Sequence, residues 1–317
     1  MLLNIILLVV GFVILIKGAD VFVDGASSVA SNFKVSKMLI GLTIVAFGTS
    51  APEFAVSVKS LLSGSGDIVL GNVIGSNILN ILLILGCAAM FHSLNVKNNT
   101  VRKELPITML ITGLFAVLLS DHVFDSKLTN SFTRGDGIVL LLFFLVFIYY
   151  LISMMRKKID TEEDSSDTMS LPKSIIFTVL GIVAIVVGSN FVVDSASFIA
   201  SALGVSERMI GLTIIALGTS LPELVTSITA TRKGEYDIAI GNVVGSNIFN
   251  IGVVIGIPVA LLGGIGTISF SYIDVIVMLV ASVLLFFFSH NDYKISKKEG
   301  IVFLLLFVVY YSYVIFG

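Results

Sequence analysis

Glu53 and Glu223 are acids set in apolar surroundings, and each closes a Gly-Thr-Ser-x-Pro motif: AFGTSAPE at 46–53 and ALGTSLPE at 216–223. An unpaired carboxylate in hydrocarbon costs on the order of several kcal/mol, so its presence signals function. Pro52 and Pro222 lack an N–H, and each ring clashes with the carbonyl four residues back, that of Gly48 or Gly218. A helix should break there. Carbonyls near Ala46, Thr49, Ala216 and Thr219 are then expected to turn toward a ligand. Lipid tolerates such freed groups only when they are buried in protein or line a wet cavity. Carbonyl and carboxylate oxygens together suit hard cations. Ser50 and Ser220 each stand three residues before the acid, which places hydroxyl and carboxylate on one helical face.

A second element follows each motif: GNVIGSNILN at 71–80 and GNVVGSNIFN at 241–250. Ser76 with Asn80, and Ser246 with Asn250, are spaced to project from one face of a helix. Gly71 with Gly75, and Gly241 with Gly245, form small-xxx-small patterns that let helices approach closely. Two such helices crossing two broken ones would close a cage of oxygen donors. Neither element contains Cys or His, which disfavours soft and borderline metals. Asn72, Asn242, Asn77 and Asn247 read as hydrogen-bonding contacts between helices and are left outside the site. Asp67 and Asp237 read as caps or entrance charges near helix starts. Asp20, Asp24 and Asp194 read as structural, with Lys17 neutralising Asp20. No nucleophile–base pair, phosphate loop, nucleic-acid patch or protease-like acid pair accompanies them, so neither an enzyme nor a nucleic-acid binder is expected.

Long apolar helices must position these groups. The chain has 317 residues, of which 56% are hydrophobic and 13% charged. A soluble domain carries about 25% charge. Ten spans are expected, near 2–30, 36–62, 67–91, 104–120, 135–155, 173–203, 207–231, 237–263, 271–289 and 299–316. The first is read as a span and not as a removable signal. Fourteen Lys and Arg residues lie in odd-numbered connections, and only Lys127, Arg134 and Arg208 in even-numbered ones. That asymmetry places odd connections in the cytoplasm and both termini outside a cell membrane. Shifting the chain by 170 residues aligns 41–81 with 211–251 without a gap, at 23 identities in 41 positions. Five spans per repeat is an odd number, so the halves must thread the bilayer in opposite senses. The expected fold is an all-α polytopic membrane protein. It has a first repeat at 1–155, a cytoplasmic linker at 156–172 and a second repeat at 173–317, with spans 2 and 7 interrupted. Inverted repeats with matched broken helices are the sequence pattern of a secondary transporter.

The paired GTSAPE/GTSLPE and GNVIGSNILN/GNVVGSNIFN motifs closely resemble the α-repeats of the sodium/calcium exchangers, within the cation/calcium antiporter superfamily. The resemblance covers essentially the whole chain and implies a minimal prokaryotic-type member, functional as a monomer. It implies sodium and calcium as transported ions and no cofactor. By motif position, Glu53 and Glu223 become the central ligands, and the carbonyls of Thr49 and Thr219 help hold calcium. Ser50, Ser76, Ser220 and Ser246, with the carbonyls of Ala46 and Ala216, serve sodium. Asn80 and Asn250 flank the middle. The resemblance implies exchange of three sodium ions inward for one calcium ion outward, an electrogenic cycle, with spans 1 and 6 sliding to alternate access. Some relatives, potassium-dependent exchangers among them, carry Asp where this chain has Asn250, so no potassium requirement is expected. Proton-coupled relatives carry a Glu shortly after Gly-Asn in the second element, where this chain has Val73, Ile74 and Gly75, and Val243, Val244 and Gly245. Potassium- or proton-coupled calcium exchange, and less readily a cation channel, are the alternatives.

Overall fold

The structure, a computed structural model, describes residues 1–124, 129–156, 169–205, 213–214, 216–267 and 271–316. Most of the expected linker and much of the start of the expected seventh span lie outside the described residues. Apolar runs become helices because a backbone in hydrocarbon must satisfy its own N–H and C=O groups. In chain order these are α1 (Leu2–Phe33), α2 (Lys37–Thr49), α3 (Ala51–Leu62), α4 (Gly66–Phe91), α5 (Leu105–Leu118) and α6 (Arg134–Met155). The second half contributes α7 (Leu171–Ala202), α8 (Ala216–Thr219), α9 (Leu221–Arg232), α10 (Tyr236–Leu262), α11 (Tyr272–Asp292) and α12 (Lys297–Phe316).

Among the described residues, seven helices are long and apolar enough to cross a membrane singly, and α2 with α3 adds a span bent by 45°. Helix α5 with its preceding turn carries Arg102, Lys103 and Glu104, and α8 with α9 is short. The count of ten therefore stays an expectation.

Helices α4 and α10 occupy the centre: 72% and 83% of their apolar windows are buried, against 11–33% for α1, α6, α7, α11 and α12. The outer helices present their remaining surface to lipid, which is why Leu3, Leu142, Leu180 and Leu305 stay exposed. Helices α1 and α7 pack antiparallel along a seam that carries glycines spaced by seven: Gly11 meets Gly188, Gly18 meets Ala184, Gly25 meets Thr178 and Gly181 meets Phe22. A Cβ on Gly181 would lie 2.6 Å from the Phe22 Cα, so the seam admits no side chain there. The two halves also meet at Gly41 and Gly241, where a Cβ on either would lie 2.9 Å from the other's Cα.

Two short strand pairs, absent from the sequence reading, join connections of opposite halves. Leu94–Asn95 pairs antiparallel with Lys294–Ile295, and Ser131–Phe132 with Ile265–Thr267.

Candidate ion-binding site

The break in each half makes the site. Helix α2 ends at Thr49, Ser50 takes φ −83° and ψ 6°, and α3 restarts at Ala51 with Pro52 and Glu53 in its first turn. The second half repeats this at Ser220, with φ −88° and ψ 3°, followed by Pro222 and Glu223 in the first turn of α9. Proline suits a first turn, where its missing N–H is not needed. The restarted helix puts its positive end at the glutamate, and the helix that stops leaves its negative carbonyl end beside it. Glu53 and Glu223 are each only 1% exposed.

The serines reach across the molecule, not along their own helix. Ser50 Oγ donates to Glu223 Oε1 at 3.0 Å, and Ser220 Oγ lies 3.4 Å from Glu53 Oε1. This departs from the same-face expectation, because the backbone turns at Ser50 and Ser220 and no longer follows helical spacing. Of each expected i, i+4 pair the serine meets the acid: Ser76 Oγ is 3.5 Å from Glu53 Oε1, and Ser246 Oγ is 3.5 Å from Glu223 Oε1. Ser220 Oγ also lies 3.3 Å from Ser76 Oγ, which links the hydroxyls of the two halves.

Asn80 and Asn250 each open a π-helical turn, Asn80–Leu85 and Asn250–Ile255. Such turns concentrate at functional sites. Four buried side-chain oxygens here have no hydrogen-bond partner among the described residues: Glu53 Oε2, Glu223 Oε2, Asn80 Oδ1 and Asn250 Oδ1. They form two matched pairs. A buried oxygen without a donor is costly in a protein interior, and a hard cation is a partner that suits it. No cluster of three or more His, Cys, Asp or Glu side chains occurs among the described residues. The donor set is thus carboxylate, amide, hydroxyl and carbonyl, as calcium and sodium favour.

One expectation changes. The Ala46 carbonyl accepts the Ser50 N–H at 3.0 Å and lies 3.4 Å from the Thr49 hydroxyl, so the break does not free it. Proline removes only the donor that Gly48 would have used. In the second half the Gly218 carbonyl is met instead by the Ser189 hydroxyl at 3.0 Å. Ala216 and Thr219 bound α8, at the positions matching Ala46 and Thr49.

Asn72 and Asn242 make the contacts between helices expected of them. Asn72 Nδ2 donates to the Glu53 carbonyl at 3.0 Å and to Ser57 Oγ at 3.1 Å. Asn242 Nδ2 does the same to the Glu223 carbonyl at 3.3 Å and Ser227 Oγ at 2.9 Å. Asn242 Oδ1 accepts from the Thr49 hydroxyl at 3.0 Å. These asparagines hold the backbone of the acids. Their exact repetition at a shift of 170 was the available signal.

Asp20 and Asp24 are met by Lys233, whose Nζ lies 2.6 Å from Asp24 Oδ1 and 3.8 Å from Asp20 Oδ1. The sequence reading had paired Asp20 with Lys17. Asp237 pairs with Lys97 at 2.5 Å.

Comparisons with known proteins agree with this geometry. Residues 3–153 and 173–316 match the family model described as "Sodium/calcium exchanger protein". A putative antiporter, CaxA of Alkalimonas amylolytica, is 38% identical over the full length of both chains. The sodium/calcium exchanger MaX1 of Methanosarcina acetivorans is 33% identical, with 97% of each chain covered. The solved sodium-calcium exchanger NCX_Mj, soaked with sodium and calcium, superposes with a TM-score of 0.84 at 32% identity, covering 98% of this chain and 97% of that one. Fold, motifs and relatives converge: the chain belongs to the sodium/calcium exchanger family and is a membrane antiporter of the cation/calcium type, built from two inverted repeats.

Proposed function

We propose that the chain exchanges sodium for calcium at one shared site by alternating access, electrogenically and without potassium. The observation that carries this is the matched set of four unpartnered oxygens, two from carboxylates and two from amides, drawn equally from both halves. Glu53 and Glu223 supply two negative charges, which balance one calcium ion or a pair of sodium ions, and a third sodium ion carried with that pair makes the exchange electrogenic. The empty, ionised pair is two like charges in a poor dielectric, so crossing unloaded is unfavourable and crossing loaded is not. Exchange follows from that penalty. Ser50, Ser220, Ser76 and Ser246 are placed to follow the acids as ions of different size replace one another. Thr49 and Thr219 contribute backbone carbonyls, with Ala216 beside them. Asn250 is neutral, which keeps the site at the charge that sodium and calcium alone can satisfy.

The reading further places the protein in the cell membrane as a monomer, with both termini outside. Its repeats at 1–155 and 173–317 are joined by a cytoplasmic linker at 156–172. Spans 1 and 6, here α1 and α7, would slide as a pair against the rest, and their glycine seam suits a rigid pair.

The decisive experiment is radiolabelled calcium uptake into sodium-loaded proteoliposomes, with and without potassium. Uptake should require the outward sodium gradient, ignore potassium and respond to membrane potential. Uptake without sodium would point to a channel, and a strict potassium or proton requirement to the other couplings.

A further inference from the structure

Asn77 and Asn247 are buried at 1% exposure and have no place in the cage described above. Each touches the far half. Asn250 Nδ2 donates to Asn77 Oδ1 at 3.0 Å, and Asn80 Nδ2 donates to Asn247 Oδ1 at 2.9 Å. Asn77 Nδ2 in turn lies 3.4 Å from the Asn247 carbonyl. A carboxamide is a two-sided group: its torsion is broad and roughly two-fold, so oxygen and NH2 can exchange places. Only the oxygen attracts a cation. Something must therefore decide which end faces the ions, and the acceptors at Asn77 and Asn247 hold the NH2 ends of Asn250 and Asn80. The Oδ1 ends left over are the two amide oxygens without partners.

We propose that Asn77 and Asn247 are positioning residues that act crosswise. Asn77 aims the Asn250 oxygen at the ions, and Asn247 aims the Asn80 oxygen. In this chain the side chain at 250 offers its N–H to Asn77; an ionised carboxylate there could be met only if the Asn77 amide turned over to donate. This rests on the reading of Asn80 and Asn250 as ion ligands.

Double-mutant cycles on the half-saturating calcium concentration of sodium-driven uptake test it. Asn77→Ala should raise that concentration about five- to tenfold, the scale of one lost hydrogen bond. The maximal rate per folded protein should move much less. Added to Asn250→Ala, Asn77→Ala should cost nothing further. Added to Asn80→Ala, it should cost its full factor. Asn247→Ala must show the mirror pattern, coupled to Asn80 and independent of Asn250. Where an alanine variant does not fold, the similarly sized Asn77→Leu or Asn247→Leu replaces it. Asn250→Ala costly but Asn77→Ala silent, or equally coupled to both amides, overturns the crosswise assignment alone. Asn80→Ala and Asn250→Ala both silent overturns the ligand reading, and this inference with it.

Discussion

In the first half Asn72 holds the Glu53 carbonyl at 3.0 Å, and in the second Asn242 holds that of Glu223 at 3.3 Å. Ser76 and Ser246 stand at the same 3.5 Å from their acids. Away from the cage some contacts have no counterpart. Ser189 of α7 meets the Gly218 carbonyl, but the matching position in α1 is Ala19. Lys233 and Glu235 follow α9 and bind α1 and the start of α2, through Asp24 at 2.6 Å and Lys37 at 2.8 Å. After α3 the matching residues are Ser63 and Ser65. Under the alternating access proposed above, the two end states of an inverted repeat would exchange the roles of the halves. Contacts identical in both halves then cancel between the end states, and only unmatched contacts can favour one of them. The matched set should govern whether ions are carried at all, and the unmatched set which face is open at rest.

The largest effect should come from the matched acids. Glu53→Gln or Glu223→Gln should abolish sodium-driven calcium flux, and the two should be equivalent, while the protein stays folded by size exclusion and thermal unfolding. Normal flux in either removes the site assignment. Acid should mimic the substitutions in graded form. Protonating either carboxyl removes one of the two charges calcium needs, so flux should fall as pH is lowered. Rates that stay flat from about pH 8 to about pH 5 contradict the role of the acids.

The contact between Gly41 and Gly241 is symmetric by necessity, since each glycine faces the other. Gly41→Ala places a methyl 2.9 Å from a backbone carbon and 3.1 Å from the Asp237 carbonyl, where no flexible side chain can yield. Overpacking of this kind costs about 1–3 kcal/mol. Gly241→Ala should cost a similar amount in thermal unfolding, and a pair of variants differing widely would show that the halves are not equivalent at this crossing.

How much of this was legible from residues alone follows from the same division. The acids, the broken helices and the paired second elements stand out because two copies of one pattern exclude chance. Ser76 meets Glu53, as the expected crossing of the second element over the broken helix implies. Ser50 does not, because the i, i+3 rule holds only while the helix continues, and the backbone turns at that residue. The π-helical turns at Asn80 and Asn250 leave no trace in residue type, since one extra residue per turn needs no special side chain. Lys233 was missed as the partner of Asp24 because the two are 209 residues apart and share no pattern. Repetition reveals what is matched, and it is silent on what is not.

Ser189→Ala would make α7 resemble α1 at this level. One buried hydrogen bond is worth about 0.5–1.5 kcal/mol, so the change should lower stability slightly. It should also shift the balance between the two open states by about tenfold at most. Calcium half-saturation measured from each side of oriented vesicles reads that balance. A change equal on both sides would mean that Ser189 serves the fold and not the preference.

Lys233→Ala should have the smallest effect on stability, because its partners are well solvated: Asp20 and Asp24 side chains are 40% and 52% exposed. Exposed ion pairs contribute about 0–1 kcal/mol. Its influence should appear elsewhere. Lys233 ties α1 to the second half at a level where Ser63 offers α7 no charge, so its loss should release one end state and not the other, by up to about fivefold in sidedness. Added salt should produce the same shift in the unmodified protein, since the Debye length shrinks from about 10 Å at 0.1 M to about 3 Å at 1 M. The variant should then respond less to salt, with the Lys37–Glu235 pair accounting for the response that remains. A sidedness that ignores both Lys233 and ionic strength would leave the unmatched hydrogen bond of Ser189 as the contact that distinguishes the two faces.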